Sequence, residues 1–381
     1  MEQQYDVLII GGGPAGSTMG RELQNSKLKV AIMDMAEFPR DKICAGWVTP
    51  AVMDELEIDL QDYAAKCTLQ AIHGFRVGQL GNNLVESRYE GDPVSYGILR
   101  NEFDHYLIQR CGTELLLNQK FVSMEQNEHG WLVNDSIQTK LVVGAGGHFC
   151  PVARKLSHKS ECENQQVVTA QEIEFEMTDE QLAHCKIDAQ IPELFFLPDL
   201  EGYGWVFRKG NYLNIGLGRE DNQKLSSHVK AFCQYLIKEG KVPADMPEKL
   251  HGHAYLLYPH AMRKMVHDGV ILIGDAAGLA YPQSGEGIRP AIESAMLAAK
   301  VVKQCNDDYS IKQLQAYMDE MTQRFGERHL EPDLMEKLPM GLKKVMATYL
   351  MKSKWFTKNI VMDRWFLQNH QSPLSSQLAS S

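Results

Sequence analysis

No C-x-x-C pair occurs in this chain, although it carries eight cysteines, Cys44, Cys67, Cys111, Cys150, Cys162, Cys185, Cys233 and Cys305. Structural zinc and iron–sulfur sites need closely paired thiols, so this scatter argues against both. His148, His251, His253 and His260 show no ligand spacing either, and no metal is expected. No apolar run approaches the roughly 20 residues that cross a bilayer. The start, Met1-Glu2-Gln3-Gln4, lacks the basic and apolar regions of a secretory leader. Basic charge is in deficit: 39 Lys and Arg against 49 Asp and Glu leave a formal net charge of −10. Phosphate affinity needs clustered cations, so no nucleic-acid partner is expected. Low-complexity tracts are also missing. These absences suit a cytoplasmic protein with reduced thiols that can touch a membrane at its cytoplasmic face but does not span one.

What is present starts at once. Tyr5–Ile10 is aliphatic and β-branched, as a strand buried on both faces should be. Gly11, Gly13 and Gly16 follow in G-x-G-x-x-G spacing, with Pro14 and Ala15 between them. The first glycine permits a tight turn, the second lets the backbone approach a pyrophosphate, and the third lets helix pack on strand. Pro14 is tolerated in a first helical turn, and the helix N-terminus faces the phosphates with partial positive charge. A second strand, Lys29–Met33, ends in Asp34, placed to accept hydrogen bonds from ribose hydroxyls. Glycine spacing alone is weak evidence. Strand, glycines, helix, second strand and acid in order over about 30 residues are far stronger. NAD and FAD share this fingerprint, so the choice between them comes from elsewhere. Val270–Ile273 reads as another buried strand, followed by Gly274-Asp275-Ala276-Ala277-Gly278, which suits a carboxylate bound to a ribityl chain. Gly285-Glu286-Gly287-Ile288 then opens a helix over Arg289–Lys303, whose N-terminus would stabilise negative charge on a reduced flavin ring. The expected cofactor is FAD.

These motifs make the chain resemble the geranylgeranyl reductase family, within the p-hydroxybenzoate-hydroxylase-like superfamily of FAD enzymes, from Tyr5 to about Lys303. The family's cysteine loop is similar to Phe38-Pro39-Arg40-Asp41-Lys42-Ile43-Cys44-Ala45-Gly46. Its Arg-x-x-Phe-Asp helix resembles Arg100-Asn101-Glu102-Phe103-Asp104, and its Tyr-x-Trp-x-Phe-Pro strand resembles Tyr203-Gly204-Trp205-Val206-Phe207. The resemblance implies that Arg40, Arg100, Gly285, Gly287 and Ile288 hold FAD and that Tyr203 and Trp205 meet the substrate. Two departures stand out. The superfamily's Asp-Gly after Val-Val-Gly-Ala is Gly146-Gly147 here, and the strand's closing proline is Arg208.

The expected fold is α/β, α+β overall. Residues 1–160 and 259–305 form a discontinuous Rossmann-like FAD domain, and 161–258 an antiparallel-sheet substrate domain whose sheet residues 69–98 join. Helices fill 306–371, and 372–381 are expected to be disordered. Leu342–Leu367 carries Trp355, Phe356, Trp365 and Phe366 among Lys343, Lys344, Lys352, Lys354, Lys358 and Arg364. It either docks on a membrane surface or packs over the substrate domain.

Reduction of an isolated double bond needs a hydride and a proton. Cys44 is the candidate catalytic residue, because its loop follows the second strand and resembles the family's active-site cysteine loop, and a thiol holds its proton at neutral pH and can donate it; an inert buried thiol is the plain alternative. With no second dinucleotide fingerprint, NAD(P)H or another electron donor must reduce the flavin transiently. The expected activity is reduction of C=C bonds in an isoprenoid or similar hydrophobic molecule. A flavin monooxygenase or halogenase acting on an aromatic or polyketide-like substrate is the alternative on the same scaffold.

Overall fold

The computed structural model describes residues 3–156, 167–221, 223–328 and 338–375. The chain divides into two compact units. One comprises Met1–Asp41, Asn101–Gln166 and Tyr255–Leu330; the other comprises Lys42–Arg100, Val167–Ala254 and Glu331–Ser381. This division differs from the boundaries expected from the sequence. Residues 42–100, with the second half of the cysteine loop, join the second unit, because their strands pair there. The helix Ile311–Phe325 joins the first.

The first unit is built on a parallel sheet in the order Val270–Leu272, Ile137–Gly144, Gln3–Ile10, Val30–Met33, Glu114–Leu116. Val266–His267 adds an antiparallel edge, and a hairpin of Met124–Asn127 and Gly130–Val133 hangs from Ile137–Gly144. Val7, Leu8 and Ile9 are completely buried, as a strand covered on both faces requires. Two helices, Pro14–Leu23 and Ile288–Gln304, pack against each other. The small residues Ala291, Ser294, Ala295, Ala298 and Ala299 are buried on the longer one.

The second unit holds a seven-stranded sheet in the order His251–Leu256, Val167–Glu176, Tyr212–Arg219, Gly202–Lys209, Glu193–Phe196, Gly74–Gln79, Val85–Arg88. Most neighbours run antiparallel, but Glu193–Phe196 lies parallel to Gly74–Gln79. One correction concerns residues 69–98: Leu69–Ile72 and Ser95–Ile98 leave this sheet and pair with each other and Trp47–Val48 in a separate three-stranded sheet. On one face of the large sheet, Phe195, Val206, Ile215 and Leu217 pack on Val229, Phe232 and Leu236 of the helix Leu225–Lys238. On the other face, Phe75, Val77, Trp205 and Phe207 pack on Val361, Met362 and Phe366.

The C-terminal segment is therefore not one amphipathic rod. Met340–Leu350 is an α-helix with no buried residue, whereas Thr357–Phe366 is wound more widely and seals the sheet. Residues 372–375 of the expected disordered tail are placed against the fold. Leu374 is buried, and its N–H donates to Glu55 Oε1 at 3.1 Å; residues 376–381 lie outside the described residues.

Candidate functional site

In the first unit the glycine turn separates into two kinds of glycine. Gly11 has φ +114°, and a Cβ there would meet the Ala145 carbonyl oxygen at 2.6 Å. A Cβ on Gly16 would collide with the Gly11 carbonyl. Both positions are closed by the protein itself. Gly13 differs: its φ is −72°, and a Cβ would meet only an Arg40 guanidinium nitrogen, at 3.4 Å. The space beside Gly13 is open, at a helix N-terminus that no side chain caps. Free first-turn N–H groups, a helix dipole and open space fit a pyrophosphate. Arg40 itself pairs with the buried Asp104 at 3.3 Å and lies 4.7 Å over the Phe38 ring, which fixes its cation at the edge of that space.

Asp34 works on the turn as well as beside it. Its Oδ2 accepts from Gly12 N–H at 2.7 Å and its Oδ1 from Ala36 N–H at 2.9 Å, while Ser17 donates to the Gly12 carbonyl at 2.9 Å. A carboxylate offers about four lone-pair directions, so capacity remains for ribose hydroxyls.

The second turn is held by backbone carbonyls. Gly274 has φ +60°, its N–H donates to Ser294 Oγ at 3.0 Å, and a Cβ would crowd Ala15 and Ala291 at 3.1 and 3.2 Å. Arg263 donates to the carbonyls of Asp275 (3.3 Å), Ala276 (3.1 Å) and His148 (2.9 Å). Arg328 donates to those of Ala261, Arg263 and Ala277. The bond to His148 ties the loop in which Gly146 and Gly147 replace the usual acid.

The Gly285–Ile288 turn folds onto Asp275: a Cβ on Gly287 would meet Asp275 Oδ1 at 2.8 Å, and one on Gly285 (φ +67°) would collide with the Tyr255 hydroxyl. Ile288 is buried at the head of its helix. Glu286 accepts from Arg289 N–H at 3.2 Å through one oxygen, while its other oxygen is buried without a partner among the described residues. Burial pushes its carboxyl up to about 7.

In the second unit, Cys44 is half-buried, and both ends of its residue are gripped from the large sheet. Its N–H donates to Glu172 Oε1 at 2.5 Å, and its carbonyl accepts from Asn214 Nδ2 at 3.3 Å. Asn214 also donates to Glu174 Oε2 at 2.7 Å and accepts from the Trp205 indole at 2.8 Å. Lys209, with a fully buried side chain, pairs with Glu174 at 2.7 Å. Burial, then repulsion from Glu174, pushes Glu172 up to about 7 against the pull of Lys209.

Tyr203 and Trp205 share a strand face with ring centroids 5.9 Å apart, and Tyr203 meets Phe366 at 5.3 Å. Arg100 is buried at the start of the helix Arg100–Gln109. Arg208 donates to the carbonyls of Gly210, in its own hairpin turn, and Ile187, in the loop before Glu193–Phe196, so this departure serves local structure. Sequence reading missed Glu172, Lys209, Asn214, Glu286, Arg263 and Arg328. Glu172 and Glu174 alternate with apolar residues on one strand, a readable sign of acids turned to a single face.

A parallel sheet whose first strand ends in a glycine turn feeding a helix N-terminus, with a second glycine turn after the Val270–Leu272 strand, defines a dinucleotide-binding enzyme scaffold. The sequence profile described as FAD binding domain matches residues 4–328. The chain belongs to this FAD-binding family and is an FAD-dependent oxidoreductase. Digeranylgeranylglycerophospholipid reductase 3 of Methanosphaera stadtmanae is 27% identical over 344 residues, 86% of this chain and 84% of that protein. A menaquinone reductase of Mycobacterium tuberculosis is 26% identical over 321 residues, 79% of this chain and 77% of that one. Among solved structures, a geranylgeranyl bacteriochlorophyll reductase-like protein of Thermoplasma acidophilum superposes with TM-score 0.77 at 23% identity, covering 97% and 98% of the two chains.

Proposed function

We propose that this enzyme reduces isolated C=C bonds in an isoprenoid lipid. The observation that supports this most is similarity across more than four-fifths of both chains to a relative named for that class of reduction. FAD, when bound, supplies the hydride from N5 of its reduced ring, after reduction by NAD(P)H or another electron donor. Gly13, Pro14, Ala15 and Gly16 would hold its pyrophosphate with Arg40, Asp34 its ribose, and Asp275 with the Gly285–Ile288 turn the remainder. Arg100 is assigned to the same cofactor from the family motif. Cys44 donates the proton to the second carbon of the bond, and Tyr203 and Trp205 line the substrate.

A lipid substrate has to be met at a membrane. The helix Met340–Leu350 supports contact there: Leu342, Val345 and Tyr349 follow i, i+3, i+7 spacing and stand exposed, with Trp355 exposed just beyond. Lys352 and Lys354 are exposed beside them, and Lys343 and Lys344 are half-exposed. Lys358, also expected at that surface, instead pairs with Asp363 at 3.0 Å and lies over the Tyr89 ring. The test of the reaction is direct. Incubated with a reductant and a geranylgeranylated glycerolipid, the protein should yield product gaining one hydrogen pair per reduced bond by mass spectrometry. Product gaining an oxygen atom would overturn the proposal in favour of monooxygenation.

A further inference from the structure

The polar ladder beneath Cys44 is an unusual thing to bury. Glu172 and Glu174 lie two residues apart on one strand, so both project from the same face. They face Lys209 and Trp205 from Gly202–Lys209, Asn214 from Tyr212–Arg219, and the Cys44 peptide from the loop above. The register places Gly216 opposite Glu172. A Cβ on Gly216 would collide with the Trp205 indole and meet Glu172 Cβ at 2.9 Å, so this glycine makes room for both side chains. Lys209 makes its direct ion pair with Glu174, whose oxygen Asn214 also bonds; toward Glu172 the attraction of Lys209 and a hydrogen bond from Asn214 offset only part of the cost of burial. Glu172 is buried while Glu174 is exposed, and a buried carboxyl beside a second carboxylate is disfavoured as an anion, so Glu172 is the one that tends to hold a proton.

We propose that Glu172 is the positioning residue for the Cys44 thiol, holding the loop through the Cys44 N–H with a grip that strengthens when the carboxyl ionises. A neutral carboxyl accepts that N–H weakly, whereas a carboxylate makes a charge-assisted bond about twice as strong. With Asn214 fixing the carbonyl side, the peptide is tethered at both ends, and Glu172 is the tether that responds to pH. Its titration at about 7 places the change within the working range of a neutral-pH enzyme. The proposal builds on Cys44 being the proton donor, yet its test does not depend on that chemistry.

The test is the rate at which iodoacetamide alkylates Cys44 in the FAD-loaded protein, read by peptide mass spectrometry from pH 5.5 to 9. A thiol titrating alone gives a log rate that climbs smoothly with pH. The wild type should show a second inflection near pH 7, where the tightening loop lowers reactivity by about five-fold relative to that climb, the worth of exchanging a neutral for a charge-assisted hydrogen bond. Glu172→Gln, which keeps the acceptor but cannot ionise, should abolish the inflection and retain FAD. Asn214→Ser should keep an inflection but move it to higher pH, because Asn214 also favours the ionised Glu172. A wild-type profile without a second inflection overturns the proposal, with no variant needed. So does a Glu172→Gln profile that superimposes on the wild type. Cys44→Ser separates the two claims: if it leaves lipid-dependent flavin reoxidation unchanged while Glu172→Gln removes the inflection, the positioning stands and the proton-donor role falls.

Discussion

Three glycines with one sequence signature do different work in this fold. Gly11 and Gly16 are enclosed by the protein's own backbone, so side chains there would act on folding. Gly13 faces open space beside an uncapped helix start. Gly13→Val should therefore fold with an unchanged far-ultraviolet circular dichroism spectrum yet purify without bound FAD, because its methyls would occupy the pyrophosphate's place. Full flavin occupancy in that variant would refute the phosphate assignment. The G-x-G-x-x-G pattern made the turn's backbone legible because spacing alone encodes a backbone shape. Arg263 and Arg328 were not legible, because they act on carbonyl oxygens, which every residue has and no motif marks. Glu172 and Asn214 lie 128 and 170 residues from Cys44, and only the folded sheet brings them together.

Among the elements, the C-terminal segment shows how composition misleads when adjacent stretches do opposite things. Leu342–Leu367 reads as one basic, aromatic run. Its second half buries Val361, Met362 and Phe366 against the sheet, and its first half leaves Leu342, Val345 and Tyr349 in water. Whether an apolar residue on such a helix is sealed depends on a partner surface distant in sequence, which local periodicity does not report. The exposed half should bind anionic vesicles, with each nearby lysine contributing about 1 kcal/mol at low salt. Screening over about 8 Å lets that patch act despite the net negative charge of the chain. Sedimentation with phosphatidylserine vesicles should be salt-sensitive and lost when Lys343, Lys344, Lys352 and Lys354 become Gln. Binding that survives those four changes would assign the contact elsewhere. The strand assignments around the glycine turns were recovered closely, since a buried parallel strand writes its burial into nearly every residue. Leu69–Ile72, by contrast, has strand-like residues that do not reveal which sheet they join.

For the whole molecule, two buried carboxyls shape the response to pH. Glu172 and Glu286 both rise from the ordinary 4.5 to about 7 on folding. Their protonated forms are favoured in the native state, so the stability they confer is complete below about pH 4.5 and is lost as pH climbs to 7. That loss can reach a few kcal/mol per group, since each pKa unit is worth about 1.4 kcal/mol. Asp221, lowered to about 2 by Arg219, acts in the opposite sense and only in strong acid. The melting temperature of the wild type should fall between pH 5 and 7.5, and more steeply than in a Glu172→Gln, Glu286→Gln double variant. Equal slopes would mean that neither carboxyl is held protonated. The central claim is that FAD on this scaffold gives its electrons to a lipid double bond. The most direct measurement reduces the purified flavoprotein under strict anaerobiosis and follows its absorbance on mixing with a geranylgeranylated glycerolipid. The account expects the oxidised flavin bands to return without oxygen, in step with saturation of the lipid. Flavin that stays reduced with the lipid and reoxidises only when air is admitted would contradict it.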